Sequence, residues 1–217
     1  MEKIMKLYHY VHCPFCVRVR MGLGFLNLNY ESHVLRYDDE KTPVSFTGKK
    51  MLPIFQKDDG SYQNESLDII KDLDTKNSLN WDFLNQHQSE IENHLNQIGN
   101  HVHNMAMPYW VWTPEFDEKS RAYFEEKKSQ KRGPFKELAK KKDELIPFLN
   151  AYLETTLLPH LKPFYESETL TIVDIMIASH LWGMYCVCEY QFPPKIQVYL
   201  MQVKKLTRFD YHADFWK

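Results

Sequence analysis

Met5-Lys6-Leu7-Tyr8-His9-Tyr10-Val11-His12-Cys13-Pro14-Phe15-Cys16 decides the reading of this chain, because an apolar run leads directly into a Cys-x-x-Cys pair and then into helical spacing. Thiols two residues apart at a helix start lie within one turn of each other, so they can alternate between dithiol and disulfide. Their settings differ. Cys13 falls at the mouth of the helix, where unpaired backbone N–H groups and the positive end of the macrodipole favour a thiolate. Pro14 fits the first helical position. Cys16 falls within the first turn, shielded from water and placed to attack a mixed disulfide formed on Cys13. The residues therefore assign Cys13 as the nucleophile and Cys16 as the resolving thiol.

Working outward, residues 14–26 put Val17, Met21 and Phe25 on one stripe with Phe15, Val19, Leu23 and Leu26 beside it, the pattern of a helix packed on a sheet. Gly22 and Gly24 allow another element to approach closely. Tyr30 to Leu35 reads as a short strand. Thr42-Pro43 reads as an N-cap followed by proline at the first helical position, with Gly48 ending that helix. Ile54 to Lys57 and Ser61 to Asn64 flank Asp58-Asp59-Gly60, a hairpin signal. Ser66 then opens a helix carrying Leu67, Ile70 and Leu73. This is a compact α/β unit, assigned to residues 1–76.

Asp74-Thr75-Lys76-Asn77-Ser78-Leu79-Asn80 offers nothing that forms a packed face and marks the boundary, with residues 77–84 read as a linker. Residues 85–217 read as all-helical, with patterns over roughly 82–107, 115–132, 135–158, 170–190 and 195–206 punctuated by Pro108, Gly133-Pro134, Pro159, Pro163 and Pro193-Pro194. In Thr171-Ile172-Val173-Asp174 the threonine caps while the aspartate reaches back, a variant capping box opening a very apolar helix that forms the second core. The predicted fold class is α/β plus all-α.

Among 217 residues, 27 lysines and arginines nearly balance 29 aspartates and glutamates, for a formal charge of −2. No global field then favours nucleic acid or an anionic membrane surface. Met1-Glu2-Lys3-Ile4-Met5-Lys6 lacks the apolar segment of a secretory signal and no later stretch approaches a membrane span, so a cytoplasmic location is expected. In that reducing compartment the four cysteines are read as free or catalytic rather than as a disulfide framework.

Other signals read as structural. Cys186-Val187-Cys188 has the wrong spacing to complete a zinc site with the first pair, and both thiols read as small buried residues. His87, His94 and His101 recur every seven residues, but two turns rise about 10 Å, too far for neighbours to share an ion. The lysines at 127–128 and 140–142 are interleaved with acids and read as a solvated face. Met105 to Trp112 reads as packing, and His12 as a loop residue.

Cys13-Pro14-Phe15-Cys16, followed in order by Met51-Leu52-Pro53-Ile54 and Asn64-Glu65-Ser66, resembles the glutaredoxins, and the helical second half resembles the C-terminal domain of glutathione transferases. The combination is similar to the two-domain bacterial glutaredoxins, the glutaredoxin 2 family. This resemblance implies a thioredoxin-fold domain followed by a helical bundle, with glutathione bound over the first domain. Pro14 and Phe15 would border it, Phe15 standing where tyrosine is more often seen and keeping the aromatic wall without the phenol. Leu52-Pro53 matches the family's cis-proline, whose preceding backbone pairs with the cysteinyl unit. Glu65-Ser66 matches the γ-glutamyl site, where a helix N-terminus and hydroxyl take the carboxylate and the acid takes the ammonium. Arg18 and Lys50 are the cations expected to steady the thiolate or draw the glycine carboxylate, ahead of Arg20 and Lys49.

The implied activity is glutathione-dependent reduction of protein disulfides and glutathione mixed disulfides. Glutathione is then the cosubstrate, with no permanently bound cofactor and no metal. The expected partners are glutathionylated or disulfide-containing proteins, with no nucleic acid or membrane, and the expected state is a monomer. A conjugating glutathione transferase would usually present serine or tyrosine to the glutathione sulfur. A transferase-like protein-binding scaffold would lack the cysteine pair. A thioredoxin reduced by a flavoprotein would carry Gly-Pro between the cysteines.

Overall fold

In the computed structural model, which describes residues 5–212, the opening apolar run forms β1 (Lys6–His9). Met1 to Ile4, read above as part of a segment without a secretory signal, and residues 213–217 lie outside the described residues. β1 pairs in parallel with β2 (Glu31–Val34) and antiparallel with β3 (Ile54–Gln56), which pairs antiparallel with β4 (Tyr62–Gln63), giving the order β2-β1-β3-β4. Alternation along β1 buries Leu7 and His9 on one face. Tyr8 turns to the other, where it stacks on His33 and meets Phe46. Phe46 belongs to α2 (Lys41–Thr47). α1 (Pro14–Phe25) and α3 (Ser66–Leu73) complete this thioredoxin-fold unit.

Two local expectations change. α2 begins before Thr42, because the Asp39 carboxylate accepts from the Thr42 N–H at 3.0 Å and draws the helix start upstream; Gly48, at φ 77°, ends it as expected. The stretch 74–80 is not an unpacked linker. Asp74 is buried, accepting from the Ser78 and Leu79 N–H groups and from the Trp81 indole N–H, while Leu79 is fully buried and its carbonyl accepts from the Ile172 N–H at 2.8 Å. One carboxylate that satisfies three donors turns a polar sequence into a fixed corner.

The second half comprises α4 (Trp81–Trp110), α5 (Glu118–Arg132), α6 (Phe135–Tyr152), α7 (Ile172–Leu181) and α8 (Pro194–Thr207). α4 leaves helical geometry at His87 and runs past Pro108. α6 stops at Tyr152 and gives way to a π turn over Leu153–Leu157 and a 3₁₀ turn over Leu158–His160, shorter than the periodicity predicts. α7 likewise passes into a 3₁₀ turn at Trp182–Cys186. There a Cβ on Gly183 would lie 2.7 Å from the Trp110 ring, so a side chain is excluded.

α7 is buried on nearly every side, which makes it the core helix of this half. Its capping box forms as predicted: Thr171 Oγ1 accepts from the Val173 N–H, and Asp174 Oδ2 accepts from the Thr171 N–H at 2.8 Å. Asp174 Oδ1 also accepts from the Tyr165 N–H and the Tyr199 hydroxyl. Burial pushes the Asp174 carboxyl up to about 6 despite these donors. No helix among the described residues is long and apolar enough to cross a membrane.

The two halves meet through α1, which packs on α3 within its own unit and on α7 and α8 of the other. Gly22 faces Ile70, and a Cβ on Gly24 would lie 1.9 Å from the Thr207 carbonyl oxygen. Helix propensity alone predicts that Gly24→Ala gains up to about 1 kcal/mol. The backbone contact predicts the opposite sign, a loss of about 1–3 kcal/mol by overpacking. Urea unfolding separates the two, and a midpoint raised or unchanged in the alanine variant refutes the close contact.

Candidate active site

Cys13 is the N-cap of α1, extended at φ −76° and ψ 122°, with Pro14 in the first turn and the Cys13 carbonyl accepting from the Val17 N–H at 3.0 Å. Cys13 is a partly exposed residue, while Cys16 is fully buried; both are free thiols. The Cys16 thiol donates to Cys13. Against the opposing cost of burial, that bond, the field of the His12 ring and the N–H groups of Cys16 and Phe15 lower the Cys13 thiol to about 6. Burial, together with that donation and the adjoining Cys13 sulfur, pushes the Cys16 thiol well up, although the Tyr10 N–H points at Cys16 Sγ from 3.4 Å. One thiol is set for the anion and the other for the neutral form.

His12 lies in the bend between β1 and α1 but is not solvated. Its Nδ1 is 2.6 Å and its backbone N–H 2.9 Å from Glu115 Oε1, across 103 residues of chain. Glu115 precedes α5 and is 1 % exposed. Burial works to raise its carboxyl, yet the His12 ring and backbone hold it below the ordinary carboxylate value. The Glu115 carbonyl also accepts from the Tyr37 N–H at 3.1 Å, so one residue of the helical half fixes two loops of the other. Aromatic rings of Tyr10, Tyr37, Trp110, Phe116 and Phe124 surround the His12 imidazole or its neighbours at centroid distances of 4.7–5.5 Å.

The remaining residues singled out from sequence sort into two groups. Phe15 is 47 % exposed beside the thiols, with the Arg18 guanidinium 5.0 Å from its ring and His180 of α7 meeting it edge-on at 5.8 Å. Leu52 and Pro53 lie just ahead of β3 with a cis peptide between them, and Leu52 packs in a small cluster with Tyr10 and Cys16, against which Cys13 rests. Ser66 opens α3, behind Glu65 at φ 75°. Arg18 is no solvated cation: it is 3 % exposed and donates from Nη1 to Ser66 Oγ at 3.1 Å. Burial lowers its guanidinium to about 10, and the Cys13 charge opposes that shift. Lys50 stands apart from this corner, over the Tyr37 and Tyr123 rings and 3.5 Å from Glu40 Oε1.

Sequence reasoning missed Glu115, His180 and Lys128. Lys128 of α5 is pushed down by burial, and the Cys13 charge opposes the shift, so α5 contributes a cation to the thiol's surroundings. Glu115 follows the aromatic run Tyr109-Trp110-Val111-Trp112, which was legible as packing, but nothing in the sequence ties it to His12.

The family model described as "Glutaredoxin 2, C terminal domain" matches residues 90–214, and "Glutathione S-transferase, N-terminal domain" matches residues 7–81. The chain is 32 % identical to Glutaredoxin 2 of Escherichia coli (strain K12), an alignment covering 95 % of this chain and 97 % of that protein. The crystal structure of Glutaredoxin 2 from Salmonella typhimurium in complex with glutathione superposes with a TM-score of 0.83 at 31 % identity, covering 96 % and 97 % of the two chains. A glutathione transferase from Phanerochaete chrysosporium gives 0.71 at 16 % identity over 97 % of this chain and 99 % of that one, a likeness of fold alone.

Three measurements test the electrostatics. Alkylation of the reduced protein should speed up with pH through an inflection near about 6, assigned to Cys13 by its loss in Cys13→Ser. The folded thiol is below its unfolded value of about 8.5, so the folded state binds fewer protons between the two and gains stability as pH rises. The advantage of reduced wild type over Cys13→Ser should therefore be largest above that unfolded value and vanish as pH falls through the folded one; a flat difference contradicts the assignment. His12→Ala strands a buried carboxylate and should cost about 3–5 kcal/mol in urea unfolding. The double change with Glu115→Ala should cost clearly less than the two single changes summed, and strict additivity would remove the pair from the interface.

Proposed function

The chain belongs to the glutaredoxin 2 family, and we propose that Cys13 and Cys16 carry out its thiol–disulfide exchange at a glutathione site built from the α1 N-terminus, Leu52-Pro53 and the α3 N-terminus. The protein is a glutathione-dependent thiol–disulfide oxidoreductase. The observation that carries the site assignment is the lowered thiol of the partly exposed residue Cys13 at the α1 N-terminus, beside a buried Cys16.

In the reaction, the Cys13 thiolate attacks the glutathione sulfur of a mixed disulfide. A new S–S bond joins Cys13 to glutathione as the old one breaks, and the departing substrate thiolate takes a proton from water. A second glutathione thiolate then attacks the bound glutathione sulfur, releasing oxidised glutathione and restoring the Cys13 thiolate. On a protein disulfide, Cys13 joins the protein instead; Cys16 gives up its proton, attacks Cys13 Sγ and frees the substrate, leaving a Cys13–Cys16 disulfide that two glutathione molecules reduce. The raised Cys16 thiol makes this second route wait until Cys13 has lost its charge in the mixed disulfide.

Binding follows from the same corner. Pro14 and Phe15 border the tripeptide, and the backbone at Leu52 receives its cysteinyl unit. The γ-glutamyl carboxylate meets Ser66 Oγ and the first N–H groups of α3, where Arg18 adds a positive charge within hydrogen-bond reach of that hydroxyl. Glu65, exposed at the helix mouth, takes the ammonium. Lys50 is turned toward Tyr123 and Glu40, so reaching the glycine carboxylate requires it to leave that pair. We assign the protein to the cytoplasm as a monomer acting on glutathionylated or disulfide-containing proteins, with no nucleic-acid or membrane partner and no resident cofactor.

Turnover of a small glutathione mixed disulfide, coupled to oxidised-glutathione recycling, tests the roles. Cys13→Ser should lose essentially all activity. Cys16→Ser should keep this reaction while failing on a protein disulfide. Ser66→Ala should raise KM for glutathione about tenfold with kcat little changed, the loss of one charge-assisted hydrogen bond. Activity retained in Cys13→Ser overturns the nucleophile assignment, and conjugation of an electrophile without disulfide turnover revives the transferase reading.

A further inference from the structure

The histidine spacing that argues against a shared ion along α4 leaves one of those histidines in different company. His87 bonds the Phe83 carbonyl through Nδ1 and stacks on the Phe83 ring, and His101 lies against Tyr152. His94, buried between them, meets Glu90 one turn earlier on α4 and His160 from the 3₁₀ turn after α6. Each of Glu90, His94 and His160 offers one ligand atom, and these atoms all lie within 4.8 Å of one another.

The surroundings orient these groups as metal ligands are oriented. His94 Nδ1 is held by the Tyr152 hydroxyl at 2.7 Å, which leaves Nε2 directed at Glu90, 3.9 Å from Oε1. His160 Nδ1 is held by Glu166 Oε1 at 2.8 Å, which leaves its Nε2 for a ligand. Glu166 is itself paired with Lys162. The Tyr165 hydroxyl donates to Glu90 Oε1 at 2.7 Å, and the Tyr165 ring stacks on the His160 imidazole at 5.2 Å. An imidazole whose second nitrogen is fixed by a carboxylate or hydroxyl presents the first in a set tautomer and direction, the usual support of a histidine-bound metal.

We propose that Glu90, His94 and His160 bind one zinc ion on the helical half of the protein. Two imidazoles and a carboxylate suit a borderline divalent ion and leave a fourth, tetrahedral position for water. Bond lengths of about 2.0–2.2 Å need the three donors drawn closer than they stand, a movement shared by the half-exposed Glu90 and the partly exposed His160 around buried His94. The ion would tie the 3₁₀ turn after α6 to α4. The site shares no residue with the thiol centre.

Because a reduced Cys-x-x-Cys pair is itself a potential zinc ligand, the test uses the full-length Cys13→Ser/Cys16→Ser variant, stripped of metal and titrated with Zn²⁺ against a chromophoric chelator. One equivalent should bind, and at a hundredfold excess over Kd the melting temperature should rise by about 5 °C or more. His160→Gln and Glu90→Gln, both on the exposed side of the site, should each weaken binding about tenfold or more while far-UV circular dichroism stays unchanged. Co²⁺ in place of zinc should give visible bands of a low-coordinate nitrogen and oxygen site without thiolate charge transfer. No stoichiometric binding, affinity indifferent to both substitutions, or a thiolate band assigning the ion to Cys186 or Cys188 would each overturn the proposal.

Discussion

A sulfur anion at a helix N-terminus keeps its low proton affinity only while the helix beneath it stays where its dipoles and N–H groups converge on that sulfur. Everything around α1 serves this constraint. On one side Gly22 seats the helix against Ile70 of α3; on the other Gly24 brings its backbone onto the Thr207 carbonyl of α8. The entry to the helix is fixed from a third direction, where Glu115 holds the ring and the backbone N–H of His12, the residue before Cys13. The helical half is thus part of the thiol's electrostatics, since it supplies the carboxylate beside His12 and the nearby Lys128.

The same constraint separates two chemically identical side chains. Cys13 and Cys16 lie one turn apart, yet one is lowered to about 6 and the other raised well above the ordinary range. The difference is placement. At the open end of α1 the neighbouring N–H groups and the Cys16 thiol favour the Cys13 anion, whereas Cys16 is sealed among Tyr10 and Leu52. Burial opposes the anion at both positions, so hydrogen bonding and nearby charge decide the outcome at Cys13 alone. Pro14 costs nothing in this arrangement, because the first-turn N–H it lacks has no intrahelical acceptor.

What the sequence makes legible is local. The Cys-Pro-Phe-Cys helix start, the Thr171–Asp174 capping box, the Gly48 terminus and the Ser66 start of α3 each depend on residues within one turn, and each stands where periodicity and capping chemistry put it. Errors arose where a nearby polar group or a distant surface intervened. Asp39 replaced Thr42 as the effective cap, and Asp74 folded a supposed linker into a corner over buried Leu79. α6 and α7 end early into π and 3₁₀ turns although their apolar pattern continues, since burial of a side chain does not require an α-helical backbone. The His12–Glu115 and Arg18–Ser66 pairs lie beyond any local rule, joining residues 103 and 48 positions apart.

Net charge misleads about this protein for a related reason. A total of −2 gives no long-range attraction for anions, and exposed charges farther away than about 8 Å are largely screened at physiological ionic strength. Close to Cys13 the balance reverses. Arg18 and Lys128 both sense the sulfur's charge, while the Glu115 carboxylate is committed to His12. Arg18 is also almost dry and bonded to a neutral hydroxyl rather than to an acid. Such a short-range positive field acts on a small anion already at the thiol and leaves a large protein approaching from solvent nearly unaffected. Selection among large partners then falls to surface shape and to exposed groups such as Phe15, whose ring stands at the rim with Arg18 on one side and His180 of α7 on the other.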